Sequence, residues 1–288
     1  MTLQQALAEA RTRLVSAGIA AAEASVDVEL YARTILGWDR ARLLVEYPSP
    51  APEALEPTLS AWIARREHRE PTAYIVGKRE FWGLELVVTP AVLIPRPETE
   101  LIVEAALDLL PSGNGTSSTG PRVADIGTGS GCVAVALAHE RLSCRIVASD
   151  VSSAALEVAR VNAVRHGVEQ CIEFVHTSYL DGVPGTFDLI AANPPYVKEG
   201  DRPALSRDVR HEPEVALFGG AEGLRDIGGV LQAAATKLTA GGWLLMEFGY
   251  GQEDAVTTMV AAHPELRFHG VRGDLQGIPR TAIIQRHE

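Results

Sequence analysis

The chain has 288 residues, of which 46% are hydrophobic and 22% charged. That is the make-up of an ordinary globular protein with room for one large or two moderate domains. A formal net charge of -11 excludes the overall basic footprint on which duplex nucleic acid binding normally draws. No apolar run reaches the roughly eighteen residues of a membrane span, and the N-terminus lacks the cationic head and apolar core of a leader.

Residues 1 to about 70 read as helical. Leu3, Leu7, Ala10 and Leu14 fall on one helical stripe, as do Leu55, Leu59, Trp62 and Ile63. Gly18 and Gly37 are stop signals, and Tyr47-Pro48-Ser49-Pro50 separates two helices. The run Arg65-Arg66-Glu67-His68-Arg69 is the strongest basic candidate for a nucleic acid contact, but such a run normally forms a solvated helix end. We expect a small all-α domain over residues 1–73 that recognises a partner.

Between Tyr74 and Thr89 two β-prone runs flank Gly83, which predicts a linking β-hairpin within residues 74–95. Then comes Ile94-Pro95-Arg96-Pro97-Glu98-Thr99-Glu100, prolines and acids that open a helix with anions near its positive end. Pro111 to Gly120 is rich in Gly, Ser and Thr and predicts a surface loop. From Arg122 onward strands and helices alternate, with strands at 123–126, 145–149, 172–175, 187–192, 242–248, 266–271 and 281–285. This pattern predicts an α/β domain over residues 96–288. Its sheet is doubly wound, Rossmann-like, mainly parallel and seven-stranded, with an antiparallel pair at one edge.

Three scattered cysteines, Cys132, Cys144 and Cys171, lack CxxC spacing, so we expect neither disulfides nor zinc, and a reducing, cytoplasmic setting. No histidine pair has HExxH spacing. His211-Glu212-Pro213 starts like a zinc deaminase signature, but no Pro-Cys-x-x-Cys follows, and no metal is expected. Nothing calls for self-association, so a monomer is expected. Cys132 reads as packing, as do Trp82, Trp243 and Phe248.

Two motifs carry chemistry. Asp125-Ile126-Gly127-Thr128-Gly129-Ser130-Gly131 follows the first strand of the alternation and opens a helix, where glycines let a ligand approach the backbone. Asp150 ends the next strand, at a place suited to accept hydrogen bonds from ribose hydroxyls. The loop lacks the third glycine of the dinucleotide fingerprint and the lysine of a phosphate loop. The second motif is Asn193-Pro194-Pro195-Tyr196, directly after the apolar run 187–192. Two prolines there enforce a rigid, extended turn that presents an amide, backbone carbonyls and an aromatic face.

Together these motifs resemble the glutamine-N5 methyltransferases that modify class-I peptide chain release factors. The acid-led glycine loop has the form found in class I methyltransferases that bind S-adenosylmethionine. The likeness covers nearly the whole chain and includes the proline-arginine loop 94–100, Glu212-Pro213-Glu214-Val215-Ala216-Leu217-Phe218-Gly219-Gly220 and Asp274-Leu275-Gln276-Gly277-Ile278-Pro279-Arg280. The resemblance implies that Asp125 and Gly127, Thr128, Gly129, Ser130 and Gly131 hold the methionine part of S-adenosylmethionine, and Asp150 its ribose. Tyr179, where the family usually has Trp, would lie along the adenine. Asn193, Pro194, Pro195 and Tyr196 would receive the glutamine of a Gly-Gly-Gln sequence, with Asn193 also beside the cofactor. Arg96 and Glu98 are further candidates, although Arg96 could equally pair only with Glu98 or Glu100. Glu212 either orders the active-site loop or is a solvated acid.

A carboxamide nitrogen is a poor nucleophile, whereas a sulfonium methyl is already activated, so the expected task is to position and polarise the amide. The Asn193 oxygen and the Pro194 carbonyl can accept its two hydrogens, and Tyr196 offers a flat apolar face. No dedicated general base is apparent. Because Asn-Pro-Pro-Tyr also serves adenine-N6 methyltransferases of DNA and RNA, that activity is the main alternative, opposed by the acidic charge. A non-catalytic cofactor- or partner-binding module is a third.

Overall fold

The computed structural model describes residues 1–110, 120–141 and 143–287; the predicted loop from Pro111 therefore lies outside the described residues as far as Thr119. The chain forms two compact units, Met1–Gly77 with Ser206–His211, and Lys78–Leu205 with Glu212–Glu288.

The first unit is helical: α1 (Leu3–Ser16), α2 (Ala21–Leu36), α3 (Arg40–Val45), α4 (Leu55–Glu67) and α5 (Thr72–Val76). Thr2 and Gln5 form a reciprocal capping box at the start of α1. The stripe Leu3, Leu7, Ala10 and Leu14 is buried against Val28, Tyr31, Leu43, Leu59 and Ile63. The Arg65–Arg69 run ends α4 with Arg65 and His68 exposed, but Arg66 departs from the solvated helix end its composition suggests. Arg66 is 2% exposed and donates to Asp27 at 2.8 Å, to Asp208 at 2.8 Å and to Glu23. Arg65 is engaged by Glu70 at 2.5 Å. The β-prone residues Tyr74, Ile75 and Val76 are helical rather than extended. Pro71 precedes the helix, and Gly77 ends it in a left-handed conformation with φ 79°.

The second unit opens with the hairpin β1 (Lys78–Phe81) and β2 (Leu84–Val87), Phe81 facing Leu84. Trp82 and Gly83 both take positive φ at its tip, as a tight two-residue hairpin requires. There follow α6 (Glu100–Leu109), β3 (Arg122–Ile126), α7 (Cys132–Glu140), β4 (Arg145–Asp150), α8 (Ser153–Arg165), β5 (Ile172–His176) and β6 (Phe187–Ala192). The unit closes with α9 (Arg225–Lys237), β7 (Leu238–Glu247), α10 (Glu253–Ala261), β8 (Leu266–Gly273) and β9 (Pro279–Arg286).

The seven-stranded sheet runs β5-β4-β3-β6-β7-β9-β8. Its strands are parallel except where β9 pairs antiparallel with β7 and β8 at one edge. One face packs on an apolar layer that includes Ile102, Val133, Leu137 and Ile146, the other on one that includes Ile190, Leu231, Leu244 and Phe248. Strand order reverses between β3 and β6, where open α/β sheets leave a crevice at their carboxyl ends. Ile126 pairs with Ala192 there, so the glycine loop and Asn193 leave the sheet side by side. No helix among the described residues is long and apolar enough to cross a membrane.

Candidate active site

A cleft enclosing about 1150 Å³, open water at its mouth included, lies over this switch point in the second unit. It is lined by Asp125, Gly127, Thr128, Gly129 and Ser130 from the glycine loop, Asp150, Tyr179, Asn193, Pro194 and Pro195, and by Arg96. Gly131, Tyr196 and Glu98 are not among the lining residues.

Asp125 is 3% exposed and turned inward on its own loop. Its carboxylate accepts from the Thr128 hydroxyl at 2.7 Å and the Ala134 amide at 3.2 Å, bracing the turn into α7. Burial pushes its pKa up to about 6. Asp150 accepts from the Gly129 amide at 2.9 Å and the Ser152 amide at 2.8 Å. Each of these oxygens keeps a second lone pair, so the carboxylate can still accept hydroxyl hydrogens at the cleft. Burial raises its pKa, opposed by these backbone donors. Gly127 has φ 69°, and a Cβ there would meet nothing within 4 Å. The bare backbone is what leaves this wall open to a close-lying ligand.

Tyr179 sits at positive φ, 49°, and its hydroxyl donates to Asp226 at 3.0 Å. Burial raises its pKa to about 12. The ring is packed hard against α9, since a Cβ added at Gly229 would lie 2.1 Å from the ring carbon that bears the hydroxyl.

The Asn-Pro-Pro-Tyr turn is held from two sides. Val197 and Gly219 exchange backbone bonds with Leu217 and Val197, at 2.9 and 3.0 Å, which lays the segment 217–220 alongside it. A Cβ at Gly219 would stand 2.3 Å from the Pro195 carbonyl oxygen, so only glycine allows this approach. On the other side the Asn193 Nδ2 donates to Thr99 Oγ1 at 2.9 Å, and Thr99 donates to Glu247 Oε2 at 2.7 Å. The Tyr196 hydroxyl donates to Glu247 Oε1 at 3.1 Å. Burial raises the pKa of both Glu247 and Tyr196.

Arg96 bonds neither Glu98 nor Glu100. It donates to Glu212 at 2.5 Å, and the second oxygen of Glu212 accepts from the Ile94 amide at 3.0 Å. Glu212 is 4% exposed, so it is a buried clasp on the proline-arginine loop and not a solvated acid. Cys132 lines the cleft with its thiol pKa pushed up to about 12 by burial. No group of three or more His, Cys, Asp or Glu placed to hold a metal occurs among the described residues.

Sequence reasoning passed over Thr99 and Glu247. Glu247 carries a signal, a lone acid ending the apolar run Trp243-Leu244-Leu245-Met246, whereas Thr99 is indistinguishable from an ordinary helix-start threonine.

Could the cleft hold S-adenosylmethionine? The open glycine wall, a carboxylate with spare acceptors beside it and an aromatic ring opposite suit a ligand with a polar amino acid end, a ribose and a flat base.

Residues 5–77 match the family model of the PrmC N-terminal domain, and residues 107–217 that of the methyltransferase small domain. The chain is 40% identical over 262 residues to a release factor glutamine methyltransferase of Coxiella burnetii, covering 91% of each chain. A protein of the same name from Moorella thermoacetica is 38% identical over 293 residues and is covered completely on both sides. Among solved structures the hMettl16 catalytic domain, in complex with MAT2A 3'UTR hairpin 6, superposes with a TM-score of 0.58 at 15% identity, over 87% of this chain and 93% of that one. A methyltransferase from Pyrococcus furiosus gives 0.52 at 20% identity, over 71% and 89%. These two likenesses carry the class I methyltransferase fold. The extent and identity of the sequence matches carry more: the chain belongs to the release factor glutamine methyltransferase family.

Proposed function

We propose that this chain methylates the side-chain amide nitrogen of the glutamine in the Gly-Gly-Gln sequence of class-I peptide chain release factors, with S-adenosylmethionine as donor. Family membership supports the activity, and one observation supports the site. The amide of Asn193 spends its nitrogen on Thr99, which leaves its oxygen as the group available to a substrate in the cleft that also holds the glycine loop.

When bound, S-adenosylmethionine supplies an electrophilic methyl whose bond to sulfur breaks with the electron pair staying on sulfur, giving S-adenosylhomocysteine. The protein's part is orientation. Gly127 to Gly131 would carry the methionine end, Asp150 the ribose and Tyr179 the adenine. Asn193 Oδ1 and the Pro194 carbonyl would accept the two amide hydrogens of the substrate glutamine, turning its nitrogen lone pair toward the methyl. As the new carbon–nitrogen bond forms, positive charge grows on nitrogen and the same two acceptors stabilise it, most strongly where water is excluded. The surplus proton then leaves nitrogen for solvent, and no side chain is needed as base. The Tyr196 ring would stack on the planar amide, its hydroxyl anchored by Glu247. Arg96, held by Glu212, lines the same cleft and would stand beside cofactor or substrate there. The release factor is a cytoplasmic protein partner, and the acidic charge of the chain disfavours nucleic acid in its place.

Transfer of labelled methyl to purified release factor tests this. Label on the release factor is expected; label on adenine of duplex DNA or RNA, with none on the factor, would replace the proposal with an adenine-N6 activity.

A further inference from the structure

The relay behind Asn193 has a direction. Strand β6 pairs with β7 through Ala192 and Met246, so one residue further along stand Asn193 and Glu247. Thr99, at the start of α6, lies between their side chains. A threonine hydroxyl owns one hydrogen, and here it goes to Glu247 at 2.7 Å. Toward Asn193 the same oxygen can only accept. Asn193 must then present its NH2 to Thr99, and its Oδ1 is turned the other way. The buried carboxylate is what sets this order. Glu247 is 1% exposed and takes two hydroxyl donors, Thr99 on one oxygen and Tyr196 on the other. In its ionised form Glu247 accepts from both hydroxyls and donates nothing, so neither hydroxyl can reverse.

We infer that Thr99 and Glu247 are positioning residues that fix the rotamer of the Asn193 amide, so that an acceptor and not a donor meets the substrate's amide nitrogen. Without this order the two rotamers of Asn193 differ only in exchanging O for NH2. The wrong one would put a donor against the substrate's N–H. The inference rests on the reading of Asn193 as the amide acceptor given above. It adds Thr99, whose place in the cleft wall puts it beside Asn193, and Glu247, which is not among the lining residues.

The test compares the full-length chain with Thr99→Val, Thr99→Ser and Glu247→Gln, measuring kcat and both KM values on a purified release factor. Thr99→Val keeps the shape and removes the hydroxyl, and should lower kcat by roughly 100-fold, the scale of a misplaced reacting group, while the cofactor KM stays unchanged. Thr99→Ser should regain most of that rate. Glu247→Gln has one acceptor and one donor in place of two acceptors and should also lower kcat. Wild-type turnover in Thr99→Val, or equal loss in the Val and Ser variants, would overturn the inference in favour of simple packing. The Asn193 side-chain amide is followed in parallel by 15N NMR without substrate. If the wild type modifies no glutamine at all, the functional reading fails by itself. The relay is then decided by NMR: an Asn193 signal that shifts in Thr99→Val and returns in Thr99→Ser sustains it, and an unmoved signal overturns it.

Discussion

Replacing Gly229 by alanine tests Tyr179 without touching Tyr179. The ring lies so close to α9 that a Cβ at Gly229 would stand 2.1 Å from Cζ, 2.3 Å from the hydroxyl oxygen and 2.5 Å from Cε1. A carbon there needs at least 3.0 Å, so the end of the ring must retreat by close to an ångström. That movement strains its bond to Asp226 and lifts the ring from the cleft wall. If the ring carries the adenine, the stacking at stake is about 1–3 kcal/mol, a rise of roughly 5- to 150-fold in the dissociation constant of the cofactor. The neighbouring Gly228 supplies the control. Its Cβ would meet only the terminal methyl of Met259, at 3.2 Å, a flexible end that can move aside. Both changes gain about 1 kcal/mol of helix propensity, so that gain does not separate them. Calorimetric titration with S-adenosylhomocysteine should show weakened binding in Gly229→Ala and near wild-type binding in Gly228→Ala. Equal affinity in the two variants would refute the placement of adenine on Tyr179.

Two further outcomes follow from other groups. Arg66→Ala strands Asp27, 8% exposed, without its cation. Because Asp208 and Glu23 reach solvent, the cost should be nearer 3 than 5 kcal/mol, read from urea unfolding of the full chain. A loss below about 0.5 kcal/mol would mean that the buried pair is not holding the helical unit. Asp125 titrates at about 6 when folded and near 3.8 as a free side chain, so between those values the folded protein binds the extra proton. Its contribution is complete below pH 4 and is lost as pH rises toward 6, by about 3 kcal/mol. Asp150 and Glu247, raised in the same direction, steepen the fall. Asp125→Asn should flatten the thermal stability profile across this window, and an unchanged slope would contradict the burial argument.

What the sequence disclosed, and what it withheld, follows the range of the interactions. The glycine loop and the Asn-Pro-Pro-Tyr turn are local devices: their residue types alone dictate positive φ, extended backbone and exposed polar groups. The alternation of strands and helices is likewise a short-range pattern, and it yields the seven-stranded sheet with its antiparallel edge. Thr99 and Glu247 became visible only when α6 and β7 were brought beside Asn193, partners separated by 94 and 148 residues along the chain for the two bonds of the relay. Arg66 misled for the same reason. Among four other charged or polar neighbours it reads as solvated, and only the distant acids Asp27 and Asp208 allow its burial. Tyr74-Ile75-Val76 was too short for periodicity to choose helix over strand, and the flanking Pro71 and Gly77 decided it.

The most direct test is to map the methyl group. A release factor incubated with the enzyme and S-adenosylmethionine is digested and sequenced by mass spectrometry, beside a reaction with Asn193→Ala. The account predicts one added methyl on the glutamine of the Gly-Gly-Gln peptide, lost in the variant whose cleft no longer offers the amide oxygen. A methyl on any other residue, or on that glutamine at the same rate without Asn193, would contradict it.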